Sequence, residues 1–169
     1  MTMHDGEDEH VGERLHIPVA LRWADLDAYG HVNNVAVLTL LEEARIAAFW
    51  RHPEAAEQAH PTAVLDAGPG AETVTVVARQ ELEYLAAVPH LREPVVVEMW
   101  LGRLGGASIE VCYEITSDVG GLRTVHVQAM TTIVMLDAAS GRPRRLTPDE
   151  RATWEPYVGD PVAWRRRDG

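Results

Sequence analysis

Residues 35–50 read Val-Ala-Val-Leu-Thr-Leu-Leu-Glu-Glu-Ala-Arg-Ile-Ala-Ala-Phe-Trp, a helical run that is apolar almost all round for its first two turns. A helix without a polar side is buried on most of its sides rather than laid on a surface. Asn33 or Asn34 supplies the N-cap, and His52-Pro53 ends the run. Whatever else this chain forms, it must cover that helix.

The cover is legible on both sides of it. Leu15, Ile17, Val19, Leu21 and Trp23 alternate with His16, Ala20 and Arg22, a half-buried strand in which Pro18 marks a sheet edge or a bulge. Residues 53–72, rich in Ala, Pro and Gly, read as a connector. Four more strand signals follow. The first runs from Thr73 to Tyr84, and the second alternates through Val95, Val97, Met99 and Leu101. The third alternates through Ile109, Val111, Tyr113 and Ile115, and the fourth through Val125, Val127, Ala129, Thr131, Ile133 and Met135. Gly105-Gly106 and Gly120-Gly121 mark turns, and connections this short imply an antiparallel sheet. Thr147-Pro148-Asp149-Glu150 is a capping box with Pro at the first helical position, predicting a short helix to about Tyr157. The expected organisation is a disordered acidic tail over 1–13, one α+β domain over 14–158 and a frayed tail over 159–169. A single sheet covers one side of the helix, so a second copy of the chain is expected over the rest.

Composition removes most chemistries. With 169 residues, 46% of them apolar, the chain holds one core. The formal charge of −11 argues against nucleic-acid or anionic-membrane partners. No apolar run approaches the roughly 20 residues of a membrane helix. The acidic start lacks the basic-then-apolar order of a signal peptide, so a cytoplasmic protein is expected. All 15 basic residues are Arg, which excludes a lysine Schiff base and a P-loop. The lone cysteine, Cys112, excludes an internal disulfide and a Cys-rich zinc site. No metal and no resident cofactor is expected. None of Ser108, Ser117 and Ser140 sits in a Gly-x-Ser-x-Gly elbow, and Gly68-Pro69-Gly70 lacks the third glycine of a dinucleotide fingerprint. Carboxylates, histidines and backbone dipoles remain.

They concentrate in the polar loop before the helix. The stretch Arg22-Trp23-Ala24-Asp25-Leu26-Asp27-Ala28-Tyr29-Gly30-His31-Val32-Asn33-Asn34, followed by Leu38 and Glu42-Glu43-Ala44-Arg45, resembles the 4-hydroxybenzoyl-CoA thioesterase family. More closely, it resembles the bacterial acyl-CoA thioesterase branch with a Gly-His-Val-Asn-Asn loop. The likeness is strongest over residues 16–50. It runs more weakly through Glu81-Leu82-Glu83-Tyr84 and the stretch from Arg103 to Ser108, to about Leu136. It implies a hotdog fold, in which a curved five-stranded antiparallel sheet wraps one central helix, assembled as homodimers or homotetramers. It implies hydrolysis of an acyl-CoA, CoA being part of the substrate. It makes the second loop aspartate, Asp27, the catalytic carboxylate, with the backbone N–H near Asn34 polarising the thioester carbonyl. Where many relatives carry a tyrosine near the first helical turn, this chain has Val37.

The residues bear their own reading beside that likeness. A helix N-terminus offers unpaired N–H donors and about half a positive charge, a ready oxyanion site. Asp27, seven residues before Asn34, either attacks the carbonyl or activates water. From spacing alone both aspartates are turn residues, and Asp25 is assigned to orienting the loop. His31 orients substrate, acts as an acid, or simply bonds to backbone. Gly30 permits a backbone conformation closed to other residues, and Asn33 caps the helix. Glu42 is the backup carboxylate, while Glu43 marks where the helix meets solvent. CoA phosphates require a local basic patch, for which Arg79, Arg92 and Arg103 are candidates, with Ser108 beside the Gly-Gly turn. Acyl carrier protein is an alternative carrier. Two other functions stay open: a non-catalytic acyl-CoA-binding or sensing module, and a hotdog dehydratase pairing His31 with Asp27. For the dehydratase no His-Phe-Pro-Gly-like segment is present.

Overall fold

The computed structural model describes residues 12–52 and 60–165. The chain enters β1 (Leu15–Val19), makes one 3-10 turn at Trp23–Asp25, and passes through the polar loop into α1 (Asn34–Phe49). Then come β2 (Thr73–Tyr84), β3 (Val95–Leu104), β4 (Ser108–Val119), β5 (Leu122–Asp137) and α2 (Pro148–Trp154), the last running into a 3-10 turn at Glu155–Tyr157. The strands form one sheet in the order β1-β3-β4-β5-β2, every neighbouring pair antiparallel. This is the expected α+β hotdog architecture.

The local causes are those of the sequence pattern. In β3, Val95, Val97, Met99 and Leu101 turn inward and meet Val37, Leu40, Leu41, Ala44, Ala48 and Phe49 of α1 in one buried cluster. Register shifts at Val77/Arg79, Leu101/Arg103 and Ile115/Thr116 interrupt the ladders, and such bulges bend a strand and increase its twist. Pro18 sits in an edge strand, where a missing N–H is tolerated. The second turn is a two-residue one with Gly120 and Gly121 at φ 64° and 81°, whereas the first takes three residues, with Gly105 N–H on Ser108 O at 2.8 Å. Both halves of the capping box at Thr147 and Glu150 are made.

As expected of a single covering sheet, α1 is buried along one face only within one chain: Val35 and Ile46 remain 66% and 43% exposed. At the sheet's edge β2 leaves Val74, Val76 and Val77 exposed as well. The expected frayed tail over 159–169 is corrected for 159–165, which lies across the outer face of the sheet. Gly159 N–H meets Leu101 O at 2.9 Å, Trp100 Nε1 meets Asp160 O at 2.7 Å, and Gln128 Nε2 meets Ala163 O at 3.1 Å. Val162 joins buried Trp100 and Cys112 in a second small apolar cluster. A Cβ at Gly102 would stand 2.9 Å from Cys112 Sγ and 3.4 Å from Pro161, so a glycine is needed for the segment to lie this close. Residues 166–169 and residues 1–11 of the expected acidic tail lie outside the described residues. No described helix is long and apolar enough to cross a membrane.

Candidate active site

The loop before α1 is built from its own polar residues. Asp25 is buried and accepts from the Arg22 guanidinium Nη2 at 2.9 Å and from Arg22 N–H at 2.8 Å, which hold its carboxyl below the usual aspartate range. Its backbone O accepts Asn33 N–H at 2.7 Å, so Asp25 ties the 3-10 turn to the start of the helix. Asn33 is the N-cap, its Oδ1 accepting Val35 N–H at 2.9 Å, and Asn34 is the first helical residue.

Between these anchors Asp27 is half-buried. Its Oδ1 accepts Tyr29 N–H at 2.8 Å and His31 N–H at 3.1 Å, while its own N–H meets His31 O at 2.8 Å. Gly30, at φ 75°, lets the chain turn back to close this loop. The amides, His31's above all, hold the Asp27 carboxyl below the usual aspartate range. Oδ1 is thus engaged, and Oδ2 has no hydrogen-bond partner among the described residues.

Asp27, His31, Asn33, Asn34 and Val37 line one side of a cavity of about 590 Å³; residues Tyr84 to Val88, with Val127, line the other. Tyr84 OH reaches Asn34 O at 3.3 Å across it. The first-turn amides of α1, with their share of the helix dipole, therefore border the same space as an ionised carboxylate. That pairing suits a carbonyl substrate: one group to attack or to take a proton, another to receive developing negative charge.

The far wall rests on a residue that sequence reading passed over. His126 is buried, its backbone O accepts Leu85 N–H at 2.8 Å and Ala86 N–H at 3.1 Å, and its Nδ1 meets Ala87 O at 2.9 Å. A carbonyl only accepts, so Nδ1–H donates to Ala87 O, and Nε2 lies 2.7 Å from Ser117 Oγ. His126 thus clamps three consecutive wall residues. Its side chain alternates out of phase with the apolar residues of β5, and no local signal marks it.

The other sequence candidates lie elsewhere in this chain. Glu42 is exposed and lines a separate cavity with Arg45 and Ile46. Ser108 pairs with Val134, seven residues along β5 from Val127, or about 23 Å from the Asp27 cavity. Arg103 holds Glu110 at 3.2 Å and Arg79 holds Glu81 at 2.7 Å, both in exposed pairs. Arg79 and Arg103 therefore form no phosphate patch beside Asp27 within one chain, because both extend from strand positions and are already bonded to strand carboxylates.

Comparison with known proteins places this geometry. A family model described as the thioesterase-like superfamily matches residues 21–156. A solved Thermus thermophilus thioesterase, complexed with coenzyme A and zinc, is 27% identical; the alignment covers 91% of this chain and 99% of that one, with a TM-score of 0.62. The PA2801 protein of Pseudomonas aeruginosa is 29% identical, with 85% and 98% covered and a TM-score of 0.60. A DHNA-CoA thioesterase from Staphylococcus aureus shares the fold at 16% identity, with 84% and 89% covered and a TM-score of 0.63. No curated protein sequence matches the chain significantly.

Proposed function

The chain belongs to the thioesterase-like superfamily, and from that premise we propose that it hydrolyses an acyl-CoA to a carboxylic acid and CoA, with Asp27 as the catalytic carboxylate. The observation that carries the reading is an ionised, amide-held Asp27 sharing one cavity with the N-terminus of α1. The Gly30-His31-Val32-Asn33-Asn34 loop supports assignment to the branch of the 4-hydroxybenzoyl-CoA thioesterase family that carries this motif. The CoA bound by the Thermus thermophilus neighbour supports CoA as the carrier.

A thioester is electrophilic and has a good leaving group, so the protein must supply an attacking group and a place for the oxyanion. Asp27 Oδ2 either adds to the carbonyl and expels CoA as its thiolate, giving an acyl-enzyme anhydride that water opens, or takes a proton from the attacking water. The Asn34 N–H receives the developing oxyanion. His31, exposed at the cavity's edge, orients the thioester, and Gly30 and Asn33 hold the loop's shape. The working unit is a homodimer or homotetramer. The unpaired β2 edge and the bare flank of α1 support this, since they leave apolar surface for a second copy. Arg103 and Ser108, remote from Asp27 in their own chain, contact CoA across that assembly.

Thiol release from short, long and aromatic acyl-CoAs tests the proposal. The native protein should release CoA, and Asp27→Asn should lose about 100-fold or more in kcat while keeping its fold. Equal rates would move the chemistry to Glu42. Binding of CoA esters without turnover would make the protein a sensing module, and an enoyl thioester product would make it a dehydratase.

A further inference from the structure

We propose that Trp23, backed by His90, is the platform on which the adenine of the CoA carrier stacks, with Arg92 beside it for the phosphates of the same nucleotide. This rests on acyl-CoA as the substrate and deepens that reading by placing the coenzyme's far end. The nucleotide of an acyl-CoA lies many bonds from the thioester, so it rests outside the cavity that holds the reacting carbonyl.

Trp23 is the reason. Its position in the sequence continues the alternation of Leu15, Ile17 and Val19, which are buried. The chain leaves β1 at Val19, however, and Trp23 opens the 3-10 turn with 78% of its surface exposed. The ring is not loose. It stacks on the His90 imidazole, with centroids 4.4 Å apart and planes 21° from parallel. His90 covers one face, and a side chain this exposed keeps its other face in water. A planar ring held in a fixed direction with one free face is what base stacking requires, at little cost in ordering.

The stack stands at the mouth of the Asp27 cavity. Val32 N–H meets Val88 O at 2.8 Å, His31 pairs antiparallel with Pro89, and His90 is the next residue along that seam. His31, Val32 and Val88 line the cavity. Neither Trp23 nor His90 belongs to α1 or β2, where the second copy is placed, and β1, which leads to Trp23, forms the opposite edge of the sheet from β2.

A chain of charge −11 repels a polyanionic coenzyme, so the cations that hold it must be local. Arg92 lies two residues past His90, within about 7 Å of backbone. Arg22, Arg79 and Arg103 hold Asp25, Glu81 and Glu110, whereas Arg92 is exposed and forms no ion pair among the described residues, with Glu93 beside it or with any other. CoA carries phosphates at two positions, so this contact adds to those assigned above to Arg103 and Ser108.

Calorimetric titration of the full-length protein with adenosine 3′,5′-bisphosphate, the nucleotide end of CoA without thiol or acyl group, tests the platform. The native protein should bind it. Trp23→Ala should weaken binding about 10-fold or more, while Trp23→Phe keeps most of it. Arg92→Gln should weaken it too and reduce its salt dependence. In turnover, Trp23→Ala should raise KM for an acyl-CoA far more than it lowers kcat, and far more than it raises KM for the matching acyl-pantetheine. Light scattering should find the variant in the native assembly state. Equal affinity in Trp23→Ala and the native protein would overturn the proposal. So would an equal rise in KM for both thioesters, or a Trp23→Ala protein that has lost its assembly, since the ring would then serve the fold or an interface. Nucleotide binding is read without turnover. A protein that binds the bisphosphate through Trp23 and releases no thiol would keep the platform and lose hydrolysis; one that hydrolyses acyl-CoA and does not bind the bisphosphate would do the reverse.

Discussion

Asp27 gains its character from two amide donors rather than from a neighbouring charge. Its carboxyl is held below the ordinary aspartate value of 3.8, so the ionised, basic form persists as the pH falls through the acid range. As the pH dependence of kcat/KM reports the free enzyme, the rate should stay level down to that value and decline only below it. An ascending limb well above that value would instead assign the essential proton loss to another group. At this scale the site was readable wherever its bonds are local. Asp27, Gly30 and Asn33 bond within a few positions of themselves, so a contiguous motif carries both the loop's shape and its chemistry. Arg45 was different: the same stretch spelled it out, but its burial against Tyr113, 68 positions away, is a tertiary fact.

Elements position the site in two different ways. The helix start is set by its own cap, and Asn33→Ala should cost about 1 kcal/mol of stability in a denaturant titration, with a fall in kcat as the first-turn amides lose their fixed direction. The opposite wall, residues 84–88, leaves β2 after Tyr84 and is held by His126 over residues 85–87 and by Val32 N–H on Val88 O at 2.8 Å. His126→Ala leaves Ala87 O and Ser117 Oγ without their buried partner. The loss should be about 1–3 kcal/mol of stability, together with a rise in KM for acyl-CoA larger than the fall in kcat. Unchanged KM would mean that the wall holds its shape without the clamp. Alternation revealed β3, β4 and β5 because each buries one face against α1. It did not reveal His126, a polar residue buried on the opposite face by a neighbouring segment and not by the core. Glu150 shows the converse, a pairing written in four consecutive residues: it bonds Thr147 N–H at 2.8 Å, and the Arg144 guanidinium outweighs burial to hold its carboxyl below the usual glutamate range.

At the scale of the whole molecule, part of the exposed apolar surface gathers on β2 and α1. Val74, Val76 and Val77 on β2 adjoin a bare strand edge, and Val35 and Ile46 lie on the open flank of α1. Light scattering should therefore find a dimer or tetramer. Val76→Lys should shift it toward monomer, since a lysine at a bare strand edge resists edge-to-edge pairing; a native monomer would sink the assembly proposed above. The need for a second copy was legible from one nearly all-apolar helix facing one sheet. The course of residues 159–165 was not, because Pro161, Val162 and Trp164 carry no periodic pattern and the segment is held through the backbone carbonyls of Asp160 and Ala163, which any sequence possesses. That segment acts as a detachable cover. A chain truncated after Val158 keeps every strand of the sheet but leaves Trp100 and Cys112 facing water. The thiol of Cys112 should react with a maleimide in that truncated chain and resist it in the full-length protein, where Val162 packs against it.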